Sequence, residues 1–176
     1  MARLIAVALH HRDRFSQGSA RRTFGYEAYH WGIMIVSEAS QGQDCCSFDA
    51  TDASEIDPVT FRMTNPTMDW WFRVKEDVDI GLCEKLIGRV VIGQVPDEVS
   101  SAEVRGLFAR IPLPEKNTNP QQSCVSWTVD AIRALQSQGW AQSFRVDEFK
   151  DWALSYADER MKGSDSSEPS VKNYRA

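Results

Sequence analysis

Long apolar runs, an excess of basic residues and metal-binding motifs are all missing from this sequence of 176 residues. No apolar stretch approaches the roughly 18 residues that cross a bilayer, so we expect no membrane span. The net charge of −5 at pH 7 argues against a nucleic-acid partner, because affinity for phosphate backbones depends on clustered lysine and arginine. The basic segment formed by Arg12, Arg14, Arg21 and Arg22 is interpreted as a solvated loop.

A zinc pattern is absent as well. There is no Cys-x-x-Cys pair, and the three histidines are not spaced with the cysteines as zinc ligands are, so neither a metal nor another cofactor is expected. The apolar run Leu4 to Leu9 is shorter than the core of a secretion signal. We therefore expect a soluble, cytoplasmic protein in which all four cysteines are free thiols.

The order of strand and helix patterns predicts an α+β fold. Apolar runs rich in branched and aromatic residues predict strands in the first half. They are Leu4 to Leu9, Tyr26 to Val36, Cys45 to Thr51, Val59 to Met63, Trp70 to Lys75 and Leu86 to Val95.

Helical periodicity follows these strands. Three helices are predicted: one from Ser100 to Pro112, one from Ser123 to Gly139, and one from about Asp147 to Met161. Residues 1–161 are expected to form one domain. The polar segment 162–176 has almost nothing to bury and is expected to be disordered.

Cys124 occupies a favourable position for a nucleophile. It follows Ser123, a predicted N-cap, and so lies in the first turn of a helix, where unpaired backbone N–H groups and the helix dipole favour a thiolate. The alternative is a small, buried cysteine that only packs.

His30 lies within a strongly strand-like run, and its imidazole would project from a rigid platform to act as the base for a thiol. Its alternative role is simple packing or hydration at a strand end. His10 and His11 end the first strand, where solvent exposure is expected.

A strand carrying His-Trp-Gly-Ile-Met-Ile-Val from His30, followed much later by a helix that opens Ser-Cys-Val-Ser-Trp from Ser123, resembles a known pattern. It is similar to the circularly permuted NlpC/P60 branch of the papain-like hydrolases, which includes the lecithin:retinol acyltransferase-like proteins and the small deubiquitinase- and deSUMOylase-like hydrolases. Uncharacterised fungal proteins with "YHW" and "NCVSW" motifs are also similar. The likeness spans Leu4 to Tyr156, with two short specific motifs. It implies a papain-like antiparallel sheet packed against about three helices.

The resemblance implies that Cys124 is the nucleophile and His30 the base. The third, orienting residue of such proteins lies on the strand after the histidine strand, where Asp49 is the candidate; a carboxylate there would fix the imidazole tautomer. A turn aspartate is the alternative. Two departures from the pattern matter, since Ser123 stands where asparagine is common and Asp49 where many relatives have histidine. Either change is compatible with altered chemistry or a loss of activity.

Substrate-binding candidates flank these residues. Trp31 and Trp127 would shape an apolar pocket unless they belong to the core, and Gln122 or its neighbour Gln121 would add an amide donor for an oxyanion. The sequence does not separate the two glutamines.

The expected function is a cysteine-dependent hydrolase or acyl/peptidyl transferase acting on an amide, ester or thioester of a small-molecule or peptide substrate. One alternative is a non-covalent cyclase or isomerase of a fungal biosynthetic pathway, acting on a small apolar metabolite in the same pocket. Another is a catalytically inactive interaction module. The residues do not distinguish between oligomeric states.

Overall fold

The computed structural model describes all 176 residues, which form an α+β fold. The strands are β1 (Arg3–His11), β2 (Tyr29–Ser37), β3 (Cys45–Thr51), β4 (Glu55–Ile56), β5 (Met63–Thr64), β6 (Trp71–Val78), β7 (Leu86–Val95) and β8 (Val171–Asn173). The α-helices are α1 (Gly18–Phe24), α2 (Ser101–Ala109), α3 (Cys124–Ser137) and α4 (Val146–Arg160).

Six strands form one mixed sheet in the order β6-β3-β2-β1-β7-β8. All neighbours in it are antiparallel except β7 and β8, which are parallel. The strands β4 and β5 form a separate hairpin. The family resemblance implies an antiparallel sheet. The observed sheet is mixed because a strand from the C-terminal segment joins one edge in the parallel direction.

The main core lies between one face of the sheet and the helices. Alternate residues of the central strands, such as Ile5, Val7 and Leu9 of β1, join one cluster with the apolar faces of α2, α3 and α4. The opposite face carries only a small cluster of Ala8, Met34, Val36 and Cys45. No helix has the length and apolar character that crossing a membrane requires.

The pairing between the neighbouring strands β2 and β3 is short. Pairing between β2 and β3 covers three residue pairs and ends at Ile33 and Phe48, although β2 begins four residues before Ile33 and β3 continues to Thr51 beside β6. Beyond this point no backbone ladder joins the two strands.

Two segments differ from the sequence prediction in the first half. The segment Val59 to Met63, predicted as a strand, is mainly the turn of the β4–β5 hairpin. The basic segment predicted as a loop contains α1, in which Arg21 forms two hydrogen bonds to Asp158 of α4. Helix α1 has no buried residue, so hydrophobic periodicity could not reveal it.

The C-terminal segment packs on the domain instead of being disordered. Strand β8 pairs with β7, and the Tyr174 side chain is buried among Phe144, Phe149 and Trp152, with ring centroids 4.9 to 5.1 Å away. The prediction of a disordered segment over 162–176 fails because one aromatic residue and backbone pairing hold it.

Tyr174→Ala is expected to lower the free energy of unfolding by about 3 kcal/mol, since it empties a buried aromatic site. Urea denaturation followed by circular dichroism measures this. The control Val171→Ala removes an exposed side chain of β8 and should cost no more than about 0.5 kcal/mol. Equal, small losses in both variants would contradict the packing of the segment.

Candidate active site

His30 and Asp49 lie just beyond the paired residues of β2 and β3, and their side chains connect the two strands. His30 Nε2 lies 2.7 Å from Asp49 Oδ2. Because an ionised carboxylate can only accept, Nε2 carries a proton and donates it. Nδ1 is thus the ring nitrogen that remains for a second partner.

Gly32 allows the two strands to approach at this point. A Cβ atom on Gly32 would lie 3.0 Å from the Phe48 carbonyl oxygen and 3.1 Å from Asp49 Cβ. Both distances are tighter than ordinary contacts. Because Gly32 has no side chain, Asp49 can lie this close to β2.

Arg73 of β6 completes the surroundings of Asp49. Its Nε and Nη2 donate to the two Asp49 oxygens at 3.0 and 2.6 Å, and its Nη1 donates to Glu55 Oε1 at 3.0 Å. Burial alone would raise the pKa of Asp49, but the hydrogen bonds from His30 and Arg73 hold it well below its usual range. The carboxylate is therefore ionised at neutral pH.

Arg73 is not among the site residues predicted from the sequence, although a cation within the apolar run Trp70 to Lys75 is an indication of such a role. Its meaning depends on a register that pairs Asp49 with Arg73 across β3 and β6. Local patterning does not specify that register.

Cys124 is the first residue of α3, as predicted. Ser123 caps the helix by accepting from the Val125 N–H, and the Ser123 N–H donates to Ser126 Oγ. The Cys124 N–H donates to no group in the chain. This helix start therefore offers one free backbone donor beside the sulfur. The Cys124 residue is only 6% exposed.

Interaction with Cys124 and Asp49 changes the ionisation of His30. Burial disfavours the imidazolium, yet the charge of Cys124 and the hydrogen bond to Asp49 together raise the pKa of His30 from 6.5 to about 10. The well-formed hydrogen bond of the ring is the one to Asp49. No hydrogen bond joins His30 to Cys124, although the two side chains are near enough to interact electrostatically.

The thiols of β3 behave differently. Burial raises the pKa of Cys45 to about 12 and also raises the pKa of Cys46. Both are protonated at neutral pH, and neither is shifted by a histidine, whereas Cys124 interacts electrostatically with His30.

His10 is a second histidine at the site, where the sequence predicts exposure. It pairs with His30 across β1 and β2, and the ring centroids are 5.8 Å apart. Its Nδ1 is buried and has no hydrogen-bond partner. Burial and the nearby His30 lower the pKa of His10 to about 4, so it is neutral at pH 7.

A cavity of about 690 Å³ opens on the sheet face that carries His30. Its lining includes His10, His30, Asp49 and Arg73 but not Cys124. A second depression, of about 380 Å³, is lined by Ser123 and Val125, the two neighbours of Cys124. No cluster of three or more His, Cys, Asp or Glu side chains is arranged to hold a metal.

The predicted substrate-binding residues divide into two groups. Trp31 and Trp127 are fully buried in the core, and Trp127 packs near Phe72 and Phe108, so neither lines a pocket. Gln122 is half-buried, and its Oε1 accepts from the Glu115 N–H at 2.9 Å, which leaves its amide N–H groups free to donate. Gln121 is exposed. Burial thus corrects the interpretation of both tryptophans.

Comparison with protein families adds one finding. A family profile matches residues 2–166. The chain belongs to DUF6914, a family of unknown function. No curated protein and no solved structure matches it significantly. The family match includes His30, Asp49, Arg73 and Cys124 and ends before β8.

Replacing Asp49 tests the electrostatic arrangement. Asp49→Asn should lower the pKa of His30, corresponding to a tenfold or greater loss of proton affinity, roughly the effect of removing a neighbouring opposite charge. NMR titration of the His30 ring measures it. Glu55→Gln, which alters the far side of Arg73, is the control and should have little effect. An unchanged His30 titration in Asp49→Asn would contradict the arrangement.

His10 should make stability depend on acidity. Its pKa is lower in the folded state than the model-peptide value of 6.5, so the unfolded chain binds more protons between pH 4 and 6.5. Its stabilising contribution is complete above pH 6.5 and is lost as the pH falls through this window. We expect His10→Gln to remove roughly 2–3 kcal/mol of this acid-dependent loss.

Urea denaturation between pH 4.5 and 7 would measure that change, with His11→Gln as the matched control because His11 is only half-buried. Parallel stability curves for the wild type and His10→Gln would exclude this contribution.

Proposed function

We propose that this chain is a cysteine-dependent hydrolase or acyl/peptidyl transferase that acts on an amide, ester or thioester. The observation that supports it is the placement of His30 between a buried, ionised Asp49 and a cysteine that begins a helix. Asp49 occupies Nε2, and Nδ1 is left to serve the thiol. This division of the two ring nitrogens is what a base for a cysteine nucleophile needs.

In the proposed reaction, the proton of Cys124 resides on His30 and the Cys124 sulfur attacks the substrate carbonyl carbon. The carbonyl π electrons move to oxygen, and the Cys124 N–H and the free amide N–H of Gln122 are the donors proposed for this oxyanion. When the carbonyl re-forms, the bond to the leaving group breaks and His30 gives that group its proton. A thioester on Cys124 remains.

The second half returns the enzyme to its starting state. Water, or another alcohol or amine acceptor, attacks the thioester carbon while His30 takes the acceptor's proton. The bond between carbon and sulfur then breaks, the acylated acceptor leaves, and Cys124 is restored beside protonated His30. Water as acceptor gives hydrolysis, and any other acceptor gives transfer.

A circularly permuted papain-like fold of the NlpC/P60 branch is part of this proposal. Its support is the order along the chain, in which the histidine strand β2 comes first, the Asp49 strand β3 second and the cysteine helix α3 last. Helices on one face of a mainly antiparallel sheet are compatible with that fold.

A non-covalent cyclase or isomerase is the second candidate. The observation that favours it is the 690 Å³ cavity, which reaches His30 and Asp49 but not the nearly buried Cys124. A ligand there could exchange protons with the histidine without meeting the sulfur. Burial of both tryptophans, however, removes the earlier argument for an apolar metabolite.

Intact-mass analysis after exposure to p-nitrophenyl acetate and iodoacetamide would test the proposal. We expect one adduct per wild-type chain, on Cys124, and none on Cys124→Ala. Cys46→Ala is the matched control and should react like the wild type. His30→Ala should slow acylation by roughly a hundredfold or more, the usual contribution of a general base.

The outcomes separate the candidates. Adducts of equal yield in the wild type and Cys124→Ala would show that Cys124 is not the nucleophile and would contradict the proposal. Once a substrate is found, turnover that survives Cys124→Ala but not His30→Ala would establish the non-covalent reaction instead. If neither His30→Ala nor Cys124→Ala changed any reaction of the protein, the result would favour the catalytically inactive interaction module.

A further inference from the structure

The β4–β5 hairpin carries an unusual concentration of exposed apolar side chains. Five of the ten exposed large hydrophobic residues of the chain lie between positions 56 and 68, with exposures from 54% to 84%. They are Ile56, Val59, Phe61, Met63 and Met68. Ile56 and Met63 are direct cross-strand partners and so share one face.

Hydrogen bonds hold this segment in its exposed shape. Asp57 Oδ1 accepts from the N–H groups of Val59 and Thr60, and the Asp57 carbonyl accepts from the Phe61 N–H. Phe61 has a φ of 56°, a left-handed conformation that is unfavourable for a bulky residue. At the base, the Asn65 side chain bonds four backbone groups between positions 52 and 69. These hydrogen bonds therefore hold the apolar tip in an exposed conformation, although the positive φ of Phe61 is energetically unfavourable.

The apolar area matches one side of a protein interface. On a scale of roughly 150–250 Å² for a large side chain, five side chains this exposed present on the order of 600 Å². The largest apolar patch of a typical monomer covers about 300–600 Å² and is often functional, so this area lies at the upper end of that range. One partner in a stable interface buries about 800 Å², so the patch and its rim supply enough area for a dimer.

The charges of the hairpin favour a second copy over other partners. Arg62 forms no ion pair within the chain, and neither does the Asp57 carboxylate, which accepts hydrogen bonds from Val59 and Thr60. In a two-fold arrangement each contact occurs twice, so Arg62 of one copy can meet Asp57 of the other in both directions. Glu55 is paired with Arg73 and Asp69 with Lys116, and Asp52 is acidic, so the hairpin has no excess of basic charge to attract nucleic acid or anionic membranes.

We propose that the β4–β5 hairpin is a dimerisation surface through which two copies of this chain associate. Val59 and Phe61 at its tip supply the apolar contact, and Arg62 with Asp57 supplies the polar pairing. The proposal is independent of the reaction at Cys124, because none of these four residues belongs to that site.

Sedimentation of the full chain would test the proposal over about 1 to 100 µM, a range in which mass action reveals association. The wild type should approach twice the chain mass of 19.9 kDa. The double variant Val59→Ser/Phe61→Ser should weaken association at least about a hundredfold, as loss of two central apolar contacts does. Because both residues are exposed, the circular dichroism spectrum should stay unchanged, and so should the melting temperature at concentrations low enough that both proteins are monomers.

Two further variants make the test specific. Leu82→Ser removes an equally exposed apolar residue outside the hairpin and should leave the dimer intact. Arg62→Glu should weaken the dimer several-fold, less so at high salt, because it places like charges opposite each other.

Three results would overturn the proposal. One is a wild-type chain that remains monomeric throughout the range. Another is a dimer that survives Val59→Ser/Phe61→Ser. The third is a monomer that binds phosphatidylcholine vesicles through Phe61, which would assign the hairpin to a neutral lipid surface.

Discussion

The buried carboxylate of Asp49 is the group on which the arrangement of the site depends. An ionised carboxylate is costly to bury unless its oxygens are paired, and here Arg73 and His30 together pair both of them. The guanidinium fixes the direction of the carboxylate, and the carboxylate fixes the tautomer of the imidazole. A chain of polar contacts thus runs from Glu55, outside the main sheet, to the ring that meets Cys124.

The end of the ladder between β2 and β3 is the place that holds this polar group. Where the ladder stops, the bond between His30 and Asp49 takes over the connection. The site is consequently built on strands, which hold side chains more rigidly than loops do.

The elements with a strong local pattern were predictable from the sequence. Strands Cys45–Thr51 and Leu86–Val95 have the predicted bounds, and the helix beginning at Cys124 was located from its serine cap. Alternation and capping are properties of neighbouring residues, so they are visible without a structure. The same reasoning identified His30 and Asp49, which the structure brings together.

What was missed depends on contacts between distant parts of the chain. Arg73 reaches Asp49 through strand register, His10 reaches His30 through the pairing of β1 with β2, and Tyr174 reaches its aromatic site from a polar segment. Trp31 and Trp127 show the converse, since large aromatic residues next to a site in sequence can still face the core.

Strand β8 also has a consequence for the sheet as a whole. It covers the outer edge of β7, a strand of ten mostly apolar residues, with only three residues of its own. A short terminal strand offers little template for pairing with another chain, whereas a long apolar edge is a site of aggregation. Proteolysis of the last few residues would therefore expose the edge of β7 at Arg89 to Val91 to pairing with another chain, while leaving His30, Asp49 and Cys124 in place.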